Sequence, residues 1–572
     1  MRATFKRIFK YLKPQLPRFV TAILLIVLNV AFDVALPVFI SSATQNLKSN
    51  SVSLNFIIGL AAGYVIIGTV NQIVLYIESM LLQKAGQSVV AAMRLEVFAH
   101  IQSLSQGQLD EMPVGSLVTR VASYTASLSD LFTEVLVKVV KNVLTLVGVY
   151  GMMLYISWQL SLVMLAFIAL VAVISFVFGK IIGGLFRKER QYISELNTYL
   201  NENLSGMKLI HVFNRQKFKE LEFILRNENL RKARYKVVIA FGIYRPLITL
   251  IYIMAIAVTF YLGVLFGLDS AMIVGFYLYL SKFFNPVQNL ADQLNNLQKA
   301  FTAAEKIFAL LDIKPAICDS EDAVEVDNFR GEIEFEHVWF AYSGEDWILK
   351  DVSFKVEAGQ TFAFVGATGA GKSTILSLVV RNYEAQKGRV LIDGRDVKTI
   401  KIRSLRRAVG QMLQDVFLFG GTIKDNLTMG RGDFSDGEVE EACRYVNADG
   451  FINRQPEGIN QELTERGENL SQGQRQLLSF ARTVLYKPQI LILDEATANI
   501  DTETEVLINQ SLEKMRNIGT MLVSAHRLST IKNADRIIVL QRGEITESGT
   551  HAELVEKGGY YSRLYKLQAE RR

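Results

Sequence analysis

At 572 residues the chain is longer than one hydrophobic core normally supports, so at least two folding units are expected. Half of its residues are hydrophobic and its mean hydropathy is positive, which sets it apart from an ordinary soluble protein. The net charge of +6 is modest and no basic block is interleaved with aromatics, so nucleic acid is not expected as a partner; the only two cysteines, Cys318 and Cys443, have no second pair with which to make a metal site or disulfide framework and are expected to be reduced and structural.

The apolar character is concentrated in residues 1 to about 300, whereas the chain from about 320 onward has the composition of a charged globular domain. Arg2, Lys6, Arg7, Lys10, Lys13 and Arg18 precede the first apolar run. That run exceeds the core of a signal peptide and reads as a retained membrane anchor. A hydrocarbon layer of about 30 Å calls for roughly 20 apolar residues in a helix. Six segments meet that length: 19–40, 54–77, 139–156, 160–182, 247–266 and 271–287. Short connections alternate with long ones at about 83–138 and 183–246. The second long connection carries Arg187, Lys188, Arg190, Arg231, Lys232, Arg234 and Lys236, whereas the first short loop carries only Lys48. The positive-inside rule then places the N-terminus, both long connections and the C-terminal half in the cytoplasm. Leu196, Leu200 and Leu204 recur at helical spacing, so the long connections are expected to be amphipathic extensions of the membrane helices that pack on one another.

Within the first span, Asp33 either attracts a cationic substrate or is bonded within the helix bundle. Glu134, Lys138 and Lys141 have the spacing of a paired helical face. Phe276, Tyr277, Tyr279, Phe283 and Phe284 either line a cavity or pack, and Pro286 should bend the sixth span.

The second half carries the chemistry. Gly366, Ala367, Thr368, Gly369, Ala370, Gly371, Lys372, Ser373 and Thr374 follow the apolar run 362–365 and precede the apolar run 375–380. This is a strand, a glycine loop and a helix. Glycines let backbone N–H groups point at phosphate oxygens, Lys372 can reach the β and γ phosphates, and the Ser373 hydroxyl is placed for Mg²⁺ at the positive end of the helix. Downstream, 490–493 reads as a buried strand ending in Asp494 and Glu495. The carboxyl end of such a strand is where α/β sheets hold ligands, so Asp494 is a candidate for the magnesium shell and Glu495 for orienting or deprotonating the attacking water. Ser471 and Gly473, in N-L-S-Q-G-Q before an apparent helix 475–485, form a candidate second anion site.

The order and identity of these motifs resemble an ATP-binding-cassette exporter of the half-transporter type, and the resemblance covers nearly the whole chain. It implies a multi-domain membrane protein: an all-α six-helix transmembrane domain of the type I exporter fold, residues 1–315, a linker 316–330, and an α/β P-loop NTPase domain, 331–572. By that resemblance Tyr342 stacks on the adenine of ATP, Gln414 joins Mg²⁺ to the transmission interface, and Ser471, Gln472, Gly473 and Gln474 form the signature loop that contacts the partner's nucleotide. Asp501 belongs to the loop that crosses to the opposite subunit, and His526 senses the γ-phosphate. Thr464, Glu465, Arg466 and Gly467 meet coupling helices near 109–112 and 211–214. Two departures stand out: Gln472 replaces a glycine usual in the family, and Ala498 stands where serine is common.

The implied function is ATP-driven export of hydrophobic or amphipathic compounds from a lipid bilayer by a dimer, with a heterodimer slightly favoured over a homodimer because Glu495 is intact and the signature is altered. A lipid flippase or peptide exporter keeps the same fold, and a siderophore importer or an ATP-gated channel is a more distant alternative. A soluble cassette acting on DNA or ribosomes is disfavoured by the apolar spans, and the absence of a peptidase domain before the first span is read against bacteriocin export.

Overall fold

The computed structural model describes residues 2–48, 54–413, 415–494, 502–524 and 531–569. They divide into two compact units, Met1–Gln102 with Val114–Ile313, and Ser103–Pro113 with Lys314–Arg572. The short piece 103–113 thus belongs to the second unit although membrane helices flank it in sequence.

Among the described residues, every secondary-structure element of the first unit is a helix. After α1 (Arg2–Leu12) come α2 (Leu16–Lys48) and α3 (Leu54–Ser103); α4 (Gln106–Asp110) belongs to the second unit. The chain then continues through α5 (Val114–Thr119), α6 (Thr125–Asp130), α7 (Leu136–Ile156), α8 (Trp158–Ser205), α9 (Met207–Val212), α10 (Gln216–Leu265) and α11 (Ser270–Leu311). Two five-residue π-helical stretches, Arg120–Tyr124 and Leu131–Val135, join α5, α6 and α7 into one continuous rod. At the junction of α7 and α8 the expected three-residue linker shrinks to Ser157, whose hydroxyl caps α8 by accepting from Leu160 N.

Among the described residues, five helices are long and apolar enough to cross a membrane: Arg7–Gln45, Ile58–Ser103, Val114–Ile156, Trp158–Ser205 and Gln216–Leu265. The sixth expected segment is helical and lies inside α11, but Tyr277, Tyr279, Ser281, Lys282 and Asn285 dilute its apolar character. Pro286 sits inside α11 without ending it. The long connections are indeed helix: α3 and α10 each have 50 residues and α8 has 48. At 1.5 Å per residue they reach about 75 Å, more than twice the hydrocarbon thickness.

Packing of α7, α8, α10 and α11 buries Val149, Met153, Met164, Ile248, Ile251 and Leu280 in one apolar cluster. Of the aromatics in α11, Phe276, Tyr279, Phe283 and Phe284 belong to that cluster and pack instead of lining an open cavity. The extensions of α8 and α10 meet through Tyr199, which is buried and donates from its hydroxyl to Lys219 O at 2.6 Å, with the Arg226 guanidinium 4.8 Å from its ring. The expected stripe is only half covered: Leu196 and Leu200 are half-buried and Leu204 is exposed. Glu134 and Lys138 form the anticipated pair at 2.7 Å.

The second unit is an α/β domain. Its elements are β1 (Ile333–Ala341), β2 (Trp347–Val356), β3 (Thr361–Val365), α12 (Lys372–Val379), β4 (Lys387–Ile392), β5 (Arg395–Asp396), α13 (Ile402–Ala408), β6 (Val409–Met412) and β7 (Gly421–Thr422). Next come α14 (Ile423–Thr428), α15 (Asp436–Tyr445), α16 (Asp449–Ile452), β8 (Glu462–Leu463), α17 (Gln472–Leu485), β9 (Ile490–Asp494) and α18 (Thr502–Met515). β10 (Thr520–Ser524), β11 (Arg536–Gln541), β12 (Glu544–Gly549), α19 (His551–Glu556) and α20 (Tyr560–Ala569) complete the chain.

Six strands form a mixed sheet in the order β12-β11-β3-β10-β9-β6, parallel from β11 to β6. Strand periodicity divides its side chains between two cores. Ala363, Val365, Leu491, Leu493, Met521 and Val523 face a core shared with α15 and α17. Phe362, Phe364, Ile490, Ile492 and Leu522 face a core shared with α12 and the antiparallel sheet β2-β1-β4-β5. A central strand buried on both faces reads as an unbroken apolar run, which is why β3 and β9 are conspicuous in the sequence.

Candidate functional site

Four segments of the expected site leave the carboxyl edge of one parallel sheet. β3 ends at Val365 and feeds the glycine loop, β9 ends at Asp494, β10 ends at Ser524 two residues before His526, and β6 ends at Met412 two residues before Gln414. Ser524 pairs with both Phe364 and Asp494, so the ends of β3, β10 and β9 lie side by side.

The glycines of the loop are required for different reasons. A Cβ at Gly366 would lie 2.3 Å from Leu540 O on β11, so this residue allows close packing against the sheet. Gly371, at φ +103, forms the start of α12, and a Cβ there would meet Leu349 Cδ2 at 2.6 Å. Gly369 has φ +81 with no atom within 4 Å of a would-be Cβ, leaving the loop backbone open above it. Lys372 is buried and its Nζ donates to Gly366 O at 2.8 Å and Ala367 O at 3.2 Å, holding the ammonium against the loop. Ser373 Oγ donates to Asp494 Oδ1 at 3.0 Å, joining the start of α12 to the end of β9. Hydroxyl and carboxylate together make a hard-oxygen donor set of the kind Mg²⁺ takes. Thr368 is exposed on the loop, whereas Ala370 and Thr374 are buried beneath it.

Tyr342 is 52% exposed just beyond β1. Its hydroxyl is 3.0 Å from Thr374 Oγ1, which anchors the ring beside α12. Tyr383 packs edge-on to Tyr342 with centroids 5.1 Å apart. The same Tyr383 donates to Asp110 Oδ2 at 2.5 Å, and Gly107 approaches so closely that a Cβ there would sit 2.8 Å from the ring. Burial, and then the adjoining Asp110 carboxylate, push the Tyr383 phenol well above its ordinary range. α4 is fixed further by Gln108, whose Nε2 donates to Lys314 O at 2.8 Å and whose Oε1 accepts from Ala316 N. A continuous set of contacts therefore runs from α4 through Tyr383 and Tyr342 to Thr374 of the phosphate-loop helix. Tyr383 was not singled out in the sequence, and a contact across 273 positions leaves no local signal.

Ser471 is the N-cap of α17. Its hydroxyl accepts from Gln474 N, and Gln474 Oε1 accepts from Ser471 N at 3.0 Å. This reciprocal capping box holds the helix start open to solvent, with Ser471 and Gln472 exposed and Gly473 buried. Upstream, Thr464, Glu465 and Arg466 are exposed, and Arg466 takes a left-handed φ of 59. Gly467, at φ +62, packs on Leu418, 2.7 Å from its would-be Cβ. Arg482 of α17 donates to Asn426 O at 2.9 Å and Phe417 O at 3.4 Å, and burial lowers its pKa. The signature turn, the segment 464–467 and residues 417–418 are thereby tied into one block. Gln414, Glu495, Ala498, Asp501 and His526 lie outside the described residues.

Fold and site define a P-loop nucleotide-binding domain fused to a bundle of membrane-length helices. Comparison with known proteins gives the family. The ABC transporter transmembrane region family matches residues 19–289 and the ABC transporter family matches residues 349–498. A probable multidrug resistance ABC transporter ATP-binding/permease protein of Bacillus subtilis, YheH, is 36% identical over 86% of this chain and 74% of its own length. An ATP-dependent lipid A-core flippase of Desulfotalea psychrophila is 34% identical over 86% of this chain and 87% of its own length. The structure of a bacterial Atm1-family ABC exporter with ATP bound superposes with a TM-score of 0.80 at 27% identity, covering 97% of this chain and 98% of that one. This chain belongs to the ABC transporter family, as a fused half-transporter close to bacterial multidrug and lipid exporters. It is a membrane protein with the type I exporter fold that binds ATP and couples its hydrolysis to transport, and the half-transporter fold implies a dimer.

Proposed function

We propose that the chain exports hydrophobic or amphipathic compounds by alternating access, with residues 1–315 as a six-span transmembrane domain, 316–330 as a linker and 331–572 as the nucleotide-binding domain. The convergence of the glycine loop and Asp494 on one sheet edge, in a chain with the exporter architecture throughout, carries this reading. The backbone of 366–371, with Lys372 and Thr374, cradles the phosphates of ATP while Tyr342 offers its exposed ring to the adenine. Ser373 and Asp494, with Gln414, would hold Mg²⁺, which when bound neutralises charge developing on the phosphates. Glu495 orients the attacking water, and His526 holds the γ-phosphate end of the site.

Ser471 to Gln474 and Asp501 serve the partner's nucleotide, so two half-transporters close head to tail. α9 supports this assembly: Leu209, Val212 and the adjoining Phe213 are 62%, 73% and 66% exposed, an apolar surface suited to a second subunit. Gln472, exposed at the first position of α17, suits a heterodimer in which the companion half carries the weaker site. The long helices, α4 and α9 then face the cytoplasm together with the N-terminus. ATP favours the closed dimer because it binds that state more tightly, and loss of the γ-phosphate permits reopening.

The test is Glu495→Gln in the purified assembly. ATP binding should persist while turnover falls and a closed dimer accumulates; unchanged steady-state ATPase contradicts the assignment. Lipid flipping is a second reading, favoured by relatives named as lipid A-core flippases. Transport assays in vesicles of both orientations, run with a labelled lipid and with an amphipathic dye, separate the two readings and fix the direction.

A further inference from the structure

The membrane-helix unit contains a charged cluster that the nucleotide chemistry does not use. Asp33 on α2 and Lys282 on α11 face each other with Asp33 Oδ1 3.6 Å from Lys282 Nζ, and their side chains are 31% and 33% exposed. Asn71 on α3 donates from Nδ2 to the same Asp33 oxygen at 3.2 Å. Asn29, one turn before Asp33, donates to Asn71 Oδ1 at 2.7 Å. Asn29 and Asn71 are 1% and 4% exposed, so three helices hold the carboxylate in place. The Asn29 Oδ1 atom has no hydrogen-bond partner among the described residues.

Two features separate this cluster from simple helix packing. The ion pair is longer than a hydrogen bond, and among the described residues the Lys282 ammonium donates to no hydrogen-bond acceptor. Both side chains are also one-third exposed, Asp33 inside a helix long and apolar enough to cross a membrane and Lys282 inside the 42-residue α11, and charges among such helices turn from hydrocarbon toward the bundle interior or a water-filled cavity. A molecule that replaces their hydration must satisfy both signs, because a purely cationic group leaves Lys282 desolvated without a counter-charge and a purely anionic one leaves Asp33 so.

We propose that Asp33 and Lys282, positioned by Asn71 and Asn29, form a headgroup site for a zwitterionic amphiphile, with its cationic group on Asp33 and its anionic group on Lys282. The proposal deepens the exporter reading by naming a substrate class and rests on that reading for transport, but binding is independent of it.

The test therefore measures binding without nucleotide, using the full-length chain in its native assembly in uncharged detergent. Three fluorescent probes share one tail and carry a phosphocholine, a quaternary ammonium or a phosphate monoester head. The phosphocholine probe should bind about tenfold more tightly than either singly charged probe. Lys282→Met should shift the preference toward the ammonium probe, Asp33→Asn toward the phosphate probe, and the exchange Asp33→Lys with Lys282→Asp should restore the phosphocholine preference. Equal affinity for all three heads on the unmutated protein overturns the proposal, as does a uniform loss in both single variants, which marks a structural pair. The unmutated comparison decides alone where a variant does not fold. A two-chain phosphocholine lipid against a soluble one-chain sulfobetaine then distinguishes a membrane lipid from a soluble amphiphile as the source of that head. Loss of ATP-driven transport with headgroup selectivity intact counts against the exporter reading and leaves this site standing.

Discussion

α4 and α9 are short helices in corresponding places, each between two long membrane helices, yet their surfaces differ. α4 is polar and satisfied within its own chain: Gln108 is bonded to Lys314 and Ala316, Asp110 to Tyr383, and Gly107 packs against the Tyr383 ring. α9 presents Leu209 and Val212, followed by Phe213, largely exposed. A helix with its hydrogen bonds and packing complete needs no further partner, whereas three large apolar side chains within five positions mark a surface made for another molecule. The difference teaches which connection joins the nucleotide domain of its own chain and which keeps an uncovered apolar surface.

The strongest way to break this contrast is to put charge on α9. Leu209→Asp combined with Phe213→Asp should weaken dimer assembly by on the order of thirtyfold or more, since one buried apolar anchor at an interface centre is worth about 2 kcal/mol and neighbouring anchors do not add fully. Sedimentation or mass photometry at graded concentrations reads the effect, and unaltered assembly would remove α9 from the interface. On the α4 side, Tyr342→Ala should weaken ATP binding about tenfold, as expected for loss of a base–aromatic stack of about 1–3 kcal/mol. Tyr383→Phe should instead leave ATP affinity within about threefold while lowering substrate-stimulated ATPase, because it removes a hydrogen bond to a carboxylate worth about 1.5–3 kcal/mol at α4. Equal losses of ATP binding in the two variants would show that Tyr383 serves the nucleotide and not α4.

Gly467→Ala forces a side chain into a left-handed backbone against Leu418 and should cost about 1–3 kcal/mol. Faster hydrogen exchange confined to 415–485 would report it, and a neutral outcome would mean that Leu418 can move aside. The smallest effect is expected at the C-terminal end. His551 Nδ1 lies 2.7 Å from the Tyr561 hydroxyl, and burial, followed by Lys532, lowers the imidazole's pKa. The folded state therefore holds fewer protons than the unfolded one just below the ordinary imidazole value of about 6.5. Its contribution to stability is complete above that value and is lost as pH falls through the lowered folded pKa. Acidification from about pH 7.5 to 5.5 should speed exchange in α20, and His551→Gln should flatten that response.

What could be read from the order of residues alone were features whose physics is local. Apolar runs long enough for a bilayer, the glycines and Lys372 of the phosphate loop, the apolar strand before Asp494, and the Ser471 turn before α17 each depend on neighbours a few positions away, so composition and spacing reveal them. The same reading placed the short helices within a few residues of α4 and α9 by resemblance, and left open whether Asp33 attracts a cationic substrate or is bonded within the helix bundle. Folding places Lys282 and Asn71 beside that carboxylate, neighbours that no local pattern announces. Tertiary structure alone joined Tyr383 to Asp110, set Gly366 against Leu540, and tied Arg482 to Asn426. Such pairings depend on how the chain closes on itself over tens to hundreds of positions, and neither partner carries a local preference for the other. The sequence by itself therefore determined the two kinds of domain and the nucleotide motifs, and the folded chain decided which helix the nucleotide domain holds and which apolar surface it leaves exposed.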